Sequence, residues 1–142
     1  MPERVARRRS DCPISYALDL FGDRWTLLVV RDLIFRSKRH FRDFLAAPEG
    51  IASNILADRL KLLECNGIVT RRADPQHAGK VIYEVTAKGL DLVPALLEFI
   101  AWSGKYDAKT AAPKEFLRRI RDDRAALIAE LRRAHARSGK PE

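Results

Sequence analysis

Four small side chains recur at helical spacing in the middle of the chain and form one polar stripe. They are Ser53, Asn54, Ala57 and Asp58. Serine and asparagine can hydrogen-bond the edges of bases, and alanine allows close approach, so the stripe suits contact with a DNA major groove. Each residue also has an ordinary explanation, since Ser53 could cap the helix and Asn54 could be a solvated surface residue. Asp58 could accept a hydrogen bond from cytosine or pair with a nearby arginine, and we favour the pairing.

Basic side chains accompany this stripe in several parts of the sequence. The candidate phosphate contacts are Arg36, Lys38, Arg39, Arg42, Lys61, Arg71, Arg72 and Lys80. The first four fall within seven residues that contain no acid, and the last three flank a predicted loop. Each phosphate that such a side chain neutralises adds salt-dependent affinity for DNA. We therefore predict double-stranded DNA as the partner.

Cys12 is the candidate for redox chemistry. It stands directly before Pro13, at the predicted start of a helix, and three arginines at residues 7–9 precede it. A helix N-terminus and nearby cations both favour the reactive thiolate, whereas Asp11 opposes it. The alternative is a free cysteine that behaves as a small buried hydrophobe. Cys65 is better explained as a structural residue, with an intersubunit disulfide left open.

No pattern in the chain indicates an enzyme or a cofactor. The two cysteines lack the spacing of a disulfide framework or a zinc site. A Gly-rich phosphate loop, a nucleophile elbow and paired carboxylates are also missing from the sequence. The three histidines, His40, His77 and His135, occur singly in a basic stretch, a predicted loop and the tail. We therefore expect no catalytic residue, no cofactor and no bound metal.

Length and composition are those of one basic globular domain. The chain has 142 residues, of which 46% are hydrophobic, and a net charge of +8. Seven of those eight charges lie in residues 1–10 and 113–142, and these basic tails are either solvated ends or functional. No apolar stretch approaches the ~20 residues that cross a bilayer, and no signal segment follows the basic N-terminus. We expect a cytoplasmic protein without a membrane partner.

The order of the predicted elements explains how the stripe is positioned. Helices are predicted from Pro13 to Gly22, from Asp23 to about residue 35, over residues 41–45 and over residues 53–66. Two strands follow at residues 68–72 and 81–86, then a helix from Thr86 to Trp102 and a last amphipathic helix over residues 113–137. A helix pair followed by a hairpin is the winged helix-turn-helix order. In that fold the second helix of the pair enters the major groove, and the hairpin loop is expected to reach the neighbouring DNA backbone. The predicted fold class is mainly α with a small antiparallel β-wing.

Several residues predict where the helices begin, end and bend. Asp11, Asp23 and Thr86 are suited to cap helix N-termini. Gly67 is suited to end the fourth helix in the left-handed conformation. Pro94 falls inside a predicted helix and is expected to kink it. The second helix is apolar around much of its circumference, so we expect it to lie at the centre of the core.

A set of short motifs in a fixed order carries a family resemblance over about residues 10–103. The motifs are Cys12-Pro13-Ile14, Gly22-Asp23-Arg24-Trp25-Thr26-Leu27-Leu28, Arg31-Asp32-Leu33, Phe41 with Phe44-Leu45, Gly50-Ile51, Leu56, Arg59-Leu60, Leu63-Glu64, Gly67-Ile68-Val69, Tyr83-Glu84-Val85-Thr86, Gly89, Pro94 and Trp102. Each motif is weak alone, but their ordered combination is specific. The sequence resembles the HxlR-type regulators, a branch of the MarR-like winged-helix transcription factors.

The resemblance implies an assembly and a function. It implies a homodimer, paired through the first and last helices, that binds a near-palindromic operator and represses or activates adjacent genes. Some members of the family sense electrophiles or oxidants through a cysteine at the place of Cys12. The implied organisation is a basic arm over residues 1–10, the winged-helix domain over 11–103, a dimerisation helix over 113–137 and a tail over 138–142. No residue identifies a small-molecule effector, so its existence stays open.

The sequence departs from the family pattern at two places. Many members carry a Pro-Pro pair at the tip of the wing, whereas residues 76–79 here read Gln-His-Ala-Gly. Many members carry serine at the position of Ala52, so we expect the cap of the recognition helix to move to Ser53.

Two other functions compete with DNA binding. The chain could be a winged-helix module that binds another protein without specific DNA binding. The acid-free basic stretch and the small polar stripe argue against this alternative. The last helix could also lie on a membrane surface, but the five acids of residues 113–142 and the lack of tryptophan there make dimerisation the better explanation.

Overall fold

A computed structural model describes residues 7–136, and these residues form two compact units, the first ending at Gly89 and the second beginning at Leu90. The elements are α1 (Pro13–Phe21), α2 (Thr26–Phe35), α3 (Phe41–Leu45), α4 (Ser53–Cys65), β1 (Val69–Ala73), β2 (Val81–Val85), α5 (Ala87–Leu90), α6 (Val93–Tyr106), α7 (Lys114–Asp122) and α8 (Arg124–Ala136). Residues 1–6 of the predicted arm and the whole of the predicted tail lie outside the described residues. Within residues 7–136, no helix has the length and apolar character to cross a membrane.

The first unit is built around α2, as its apolar circumference predicts. Val30, Leu33 and Ile34 of this helix are almost fully buried. The helix α2 packs on α1, α4 and β2, while α3 packs on α4 and β2. The rings of Phe44 in α3 and Tyr83 in β2 meet edge to face, with 6.3 Å between their centroids. One core therefore supports both the helix pair and the hairpin.

The two aspartates predicted as caps behave differently. The Oδ2 atom of Asp23 accepts the backbone N–H groups of Trp25 at 2.8 Å and Thr26 at 3.0 Å, which confirms it as the cap of α2. Burial raises the pKa of Asp23, but the hydrogen bonds from Thr26 and Trp25 outweigh burial and hold the pKa below its ordinary value. Asp11 does not cap α1. Its carboxylate is exposed and pairs with Arg8, and Cys12 occupies the N-cap position instead.

Helix α4 ends as predicted but does not begin as predicted. Its N-cap is Ala52, which provides no side-chain hydrogen bond, so the predicted cap at Ser53 is wrong. Ser53 is the first helical residue, because the extended backbone of Ala52 already sets the start of the helix. At the other end Gly67 has φ of +74°, as predicted, and its N–H bonds the carbonyl of Glu64. Because Ser53 is exposed and does not cap the helix, its hydroxyl is available at the surface.

The wing is a two-stranded antiparallel hairpin, as predicted. Val69 pairs with Val85 and Ala73 with Val81. The second strand begins at its predicted residue, and the other three strand limits differ from the prediction by one residue. The first strand is exposed after Val69, whereas the second is buried from Ile82 onward. The second strand thus attaches the wing to the core, and the first faces solvent.

The helices after the wing differ from the prediction in two ways. The predicted helix over residues 86–102 is divided into α5 and α6, with Pro94 in the first turn of α6, where a missing N–H costs nothing. The predicted kink is therefore wrong. The Thr86 hydroxyl accepts the N–H of Gly89 at 3.1 Å, which confirms Thr86 as the cap of α5.

The predicted single last helix is also divided, into α7 and α8. Asp123 interrupts it with φ of −143°, far from helical geometry, and its carboxylate and that of Glu130 both bind Arg119. In this second unit α7 packs on both α6 and α8, and Leu117 lies against Gly104 so closely that a Cβ there would be 2.6 Å away. Ile120 and Leu127 are buried, so the apolar side of the two helices is partly used within the unit.

Asp23→Ala should lower the free energy of unfolding by about 1–2 kcal/mol, because it removes the cap of α2 and leaves the buried Thr26 hydroxyl without its acceptor. The measurement is urea unfolding followed by tryptophan fluorescence. Asp11→Ala is the matched control and should change the same free energy by less than about 0.5 kcal/mol, since Asp11 makes only an exposed ion pair. Equal losses in the two variants would show that Asp23 has no capping role.

Candidate nucleic-acid interface

The polar stripe lies on the exposed side of α4. Ser53, Asn54 and Ala57 are exposed, whereas Leu56, Leu60 and Leu63 on the other side are almost fully buried. Within residues 7–136, the side chains of Ser53 and Asn54 have no hydrogen-bond partner. The fold therefore leaves their polar groups available to a ligand at the N-terminal end of the helix.

Asp58 has an internal partner. Its Oδ2 atom accepts a hydrogen bond from Arg59 Nη1 at 3.0 Å, which is the pairing that the sequence favoured. Arg59 also extends to the cap of α2, where its Nε lies 3.2 Å from Asp23 Oδ2. The pair Asp58–Arg59 therefore links α4 to the start of α2 and weakens the case for Asp58 as a base-reading residue.

Two of the predicted phosphate contacts surround a buried carboxylate at the end of α2. Asp32 is only 2% exposed, and Arg36 and Lys38 approach it at 3.3 and 3.8 Å. Arg31, on the same helix, donates to Asp32 at 3.0 Å. A buried charge costs free energy unless it is paired, so these cations stabilise the fold by neutralising Asp32.

Arg31 also fixes the turn that precedes α4. Its guanidinium donates two hydrogen bonds to the carboxylate of Glu49, at 2.7 and 2.9 Å. This bidentate pair lowers the pKa of Glu49 to about 2. Gly50 follows with φ of +74°, a conformation that glycine adopts without strain. The turn between the two helices of the pair is therefore held by an ion pair to α2.

A second buried carboxylate holds the wing. Glu84 of β2 is 5% exposed, and it receives Arg72 of β1 at 2.6 Å and Arg39 at 3.0 Å. The N–H of Tyr83 also donates to the carbonyl of Arg39 at 2.8 Å. The segment before α3 thus pairs with the wing through both backbone and side chain, and nothing in the local sequence around residue 39 indicates it.

The other four predicted phosphate contacts have no carboxylate partner. Within residues 7–136, no ion pair is made by the exposed side chains of Arg42, Lys61, Arg71 and Lys80. Arg42 lies on α3, Lys61 on the stripe of α4, and Arg71 and Lys80 on the wing. The structure therefore divides the eight cations into four that neutralise buried acids and four whose charge is available.

Two histidines that are isolated in the sequence meet in the structure. His40 Nε2 and His77 Nδ1 lie 2.9 and 3.0 Å from the same oxygen of Asp74, Oδ2. The backbone N–H of Gln76 donates to the other oxygen at 2.9 Å. This hydrogen bond first, and the one from His40 next, lower the pKa of Asp74 to about 2. The expectation that the histidines occur singly is therefore wrong for His40 and His77. The contact between His40 and Asp74 spans 34 residues, so the spacing of residues along the sequence does not indicate it.

Cys12 is exposed and sits at the N-cap of α1, while Cys65 is half-buried near the end of α4. The cations predicted near Cys12 are partly engaged elsewhere. Arg8 pairs with Asp11 at 3.0 Å, and Arg9 pairs with Asp19 at 2.6 Å. The thiol is therefore accessible, but its arginine neighbours do not all contribute free positive charge.

Large apolar side chains are exposed on one helix of each unit. On α1 they are Ile14, Tyr16 and Leu18, and on α6 they are Phe99, Trp102 and Tyr106, with exposed fractions between 49% and 70%. No residue of α1 is buried. Each unit therefore exposes large apolar side chains on one helix.

A short helix pair, a recognition helix with a polar outer face and a β-hairpin packed on the same core define a winged helix-turn-helix protein. The HxlR-like helix-turn-helix family matches residues 20–111, so the chain belongs to that family. Among its relatives is the HTH-type transcriptional regulator sll1512 of Synechocystis sp., 36% identical over 86 residues. That alignment covers 61% of this chain and 63% of the relative, slightly less than two thirds of the relative's length.

Two further relatives have solved structures. The HTH-type transcriptional regulator YodB of Bacillus subtilis is 38% identical over 96 residues, which is 67% of this chain and 85% of YodB. The reduced form of YodB superimposes with a TM-score of 0.57 over 71% of this chain and 99% of that one, and YodB has also been solved with bound quinone. The redox regulator HypR in its reduced form, 28% identical, gives a TM-score of 0.61 over 68% of this chain and 95% of that one. The chain is therefore a transcriptional regulator of the HxlR type.

Proposed function

We propose that this regulator binds a near-palindromic DNA operator sequence-specifically, as a homodimer. The observation that carries the proposal is the exposed side of α4, where Ser53, Asn54 and Ala57 are free of internal partners and Lys61 continues the stripe. Polar groups without an internal partner on a rigid helix supply the donors and acceptors that read base edges.

The dimensions of α4 suit the major groove. Its 13 residues span about 20 Å, and the groove is about 12 Å wide. Recognition helices present their N-terminal residues to the bases. Ser53 and Asn54 are the first two residues of α4, and Ala57 follows one turn later without a bulky side chain. In this arrangement Asp58 orients Arg59 more than it reads a base.

Phosphate contacts fall to the cations that the fold leaves unpaired. Arg42, Lys61, Arg71 and Lys80 lie on α3, on α4 and at the wing, so they flank the stripe along the chain. Arg36, Lys38, Arg39 and Arg72 contribute a weaker share, because each is already attracted to Asp32 or Glu84. Arg42 is accordingly the principal phosphate contact before the recognition helix.

The dimer supplies the second half of the operator contact. Ile14 and Leu18 on α1, and Trp102 on α6, are exposed apolar groups that association with a second copy would bury. The predicted dimerisation segment over residues 113–137 would add to this surface. Two recognition helices placed about 34–36 Å apart would reach successive major grooves on one side of the duplex.

Cys12 is the candidate sensor of a thiol-reactive signal. Its thiol is exposed, and the helix it begins carries the apolar side chains that the dimer would cover. An adduct or disulfide at Cys12 would therefore form beside the proposed subunit contact. Among the relatives, HypR is a redox regulator and YodB binds a quinone in one of its structures. These relatives support the proposal that this chain responds to a thiol-reactive signal.

We expect specific binding to the DNA upstream of the protein's own gene, measured by fluorescence anisotropy against a random duplex of equal length over a range of salt. Asn54→Ala should lower the ratio of specific to random affinity, because it removes a base contact. Arg42→Ala should weaken binding to both duplexes alike. It should also reduce the slope of log affinity against log salt by about 0.9 for each phosphate that the variant no longer neutralises.

Arg36→Ala is the matched control for Arg42→Ala, because it removes an arginine that already pairs with Asp32. Its effect on the salt slope should be smaller. Equal binding of the wild type to both duplexes at every salt concentration would favour a protein partner over DNA. An equal loss of specificity in the Asn54 and Arg42 variants would contradict the division into base and phosphate contacts.

The double variant Ile14→Glu/Leu18→Glu should turn the dimer into a monomer, because two charges would be desolvated at the subunit contact. The measurement is the mass in solution by light scattering. Gln76→Glu/Ala78→Glu adds the same charges to the exposed wing loop and should leave the dimer intact. Removal of residues 113–142 should also yield monomers, and a dimer that survives it would exclude a role for the last helices.

Treatment with diamide or a quinone should release the wild type from its operator and leave Cys12→Ser bound, since Cys12→Ser lacks the exposed thiol at the start of α1. The measurement is the same anisotropy titration. Cys65→Ser is the control and should respond like the wild type, because Cys65 is half-buried. Equal loss of binding in wild type and Cys12→Ser would remove Cys12 as the sensor.

A further inference from the structure

The cluster of His40, Asp74 and His77 has a set of donor atoms that the DNA contacts do not use. Two imidazole nitrogens and one carboxylate oxygen lie within 4.8 Å of one another. Asp74 is buried, His40 is half-buried and His77 is exposed, so the cluster is anchored on one side and open to solvent on the other. Imidazole nitrogen with carboxylate oxygen is a donor set that zinc and neighbouring divalent metals prefer.

The separations between the donor atoms lie on both sides of the value that one ion requires. A tetrahedral Zn²⁺ with ligands at 2.0–2.1 Å places neighbouring ligand atoms about 3.4 Å apart. The two contacts to Asp74 Oδ2, 2.9 and 3.0 Å, would lengthen by a few tenths of an ångström. The two imidazole nitrogens lie within 4.8 Å of each other and would approach by about 1 Å or slightly more. Side-chain rotations of His77, which is exposed, can supply that movement.

The surroundings of the donors are arranged as they are around ligands of a metal. The other ring nitrogen of His40, Nδ1, lies 3.5 Å from a carboxylate oxygen of Asp43. A carboxylate behind a histidine fixes its ring and its tautomer, and ligating histidines usually have one. The Gln76 N–H occupies Asp74 Oδ1, which leaves Oδ2 directed at the two imidazoles. Two independent groups therefore orient the donors toward one point.

We propose that His40, Asp74 and His77 bind one divalent transition-metal ion, with Zn²⁺ the best match to their donor atoms. Water would complete the coordination on the open side. Asp43 would act as a positioning residue for His40 and not as a ligand. The metal was not expected from the sequence because only cysteine spacing was informative there, and His40 is 34 residues from Asp74.

The ion would join the wing to the helix pair. Asp74 and His77 belong to the loop of the hairpin, whereas His40 is the N-cap residue of α3. Binding would therefore restrain the loop that separates β1 from β2. This inference does not rest on DNA binding, and it is tested on the protein alone.

The experiment is a titration of the full-length, metal-free protein with Zn²⁺ in competition with a chelating dye. We expect one ion per chain, with an affinity reduced tenfold or more in His77→Gln and in His40→Gln. His77→Gln is the primary variant, because His77 is exposed and its loss does not disturb the core. Gln76→Ala is the matched loop control and should bind like the wild type, since it keeps the backbone N–H.

Two further measurements distinguish this site from the thiols and from a structural effect. Cys12→Ser should bind Zn²⁺ as the wild type does. Zinc should slow hydrogen exchange of the backbone amides of Asp74 and of residues 76–80 in the wild type but not in His77→Gln. Binding that disappears in Cys12→Ser, or a wild type that binds no tighter than His77→Gln, would overturn the proposal.

Discussion

The ion cluster at Glu84 is the interaction on which the arrangement of the helix pair and the wing depends. A carboxylate that is 5% exposed would cost several kcal/mol if it were left alone. It is retained because Arg39 and Arg72 both reach it, one from the segment before α3 and one from the neighbouring strand. The Tyr83 N–H reinforces the contact through the Arg39 carbonyl. Glu84 therefore fixes the wing against the segment that leads into α3.

The same electrostatic requirement decides which basic residues are available to DNA. Asp32 and Glu84 are buried, and the arginines and lysine nearest to them provide the opposite charge. Arg42 and Lys61 have no such partner within residues 7–136. Total charge is therefore a poor guide to binding, since most of the excess of +8 lies toward the ends of the chain. The distribution of buried acids is the better guide, because each one neutralises cations whose charge would otherwise be available to a ligand.

The sequence predicts those features that local chemistry determines. Asp23 caps α2 because its carboxylate reaches the N–H groups two and three residues later, and Gly67 ends α4 because a positive φ suits glycine. The prediction of a cap at Ser53 and of one last helix was wrong, because caps and breaks at Ala52 and Asp123 depend on backbone geometry that residue types leave open. Contacts across 34 or 45 residues, such as His40–Asp74 and Arg39–Glu84, could not be found without the fold. The outer face of α4 was predictable as a candidate because helical periodicity separates it from the leucines.

Two adjacent residues, Arg39 and His40, each bind one part of the wing. Arg39 holds Glu84 in the second strand, and His40 holds Asp74 at the start of the hairpin loop. One short segment before α3 therefore controls the strand and the loop separately. Residues 76–79 of the loop contain no proline, and Pro75 restricts the backbone directly before them. The imidazoles of His40 and His77 and the backbone N–H of Gln76 provide a restraint of another kind, because all three converge on the carboxylate of Asp74. A divalent ion held as proposed at these imidazoles and this carboxylate would tighten that restraint, so the order of the wing loop would depend on the ion as well as on the backbone.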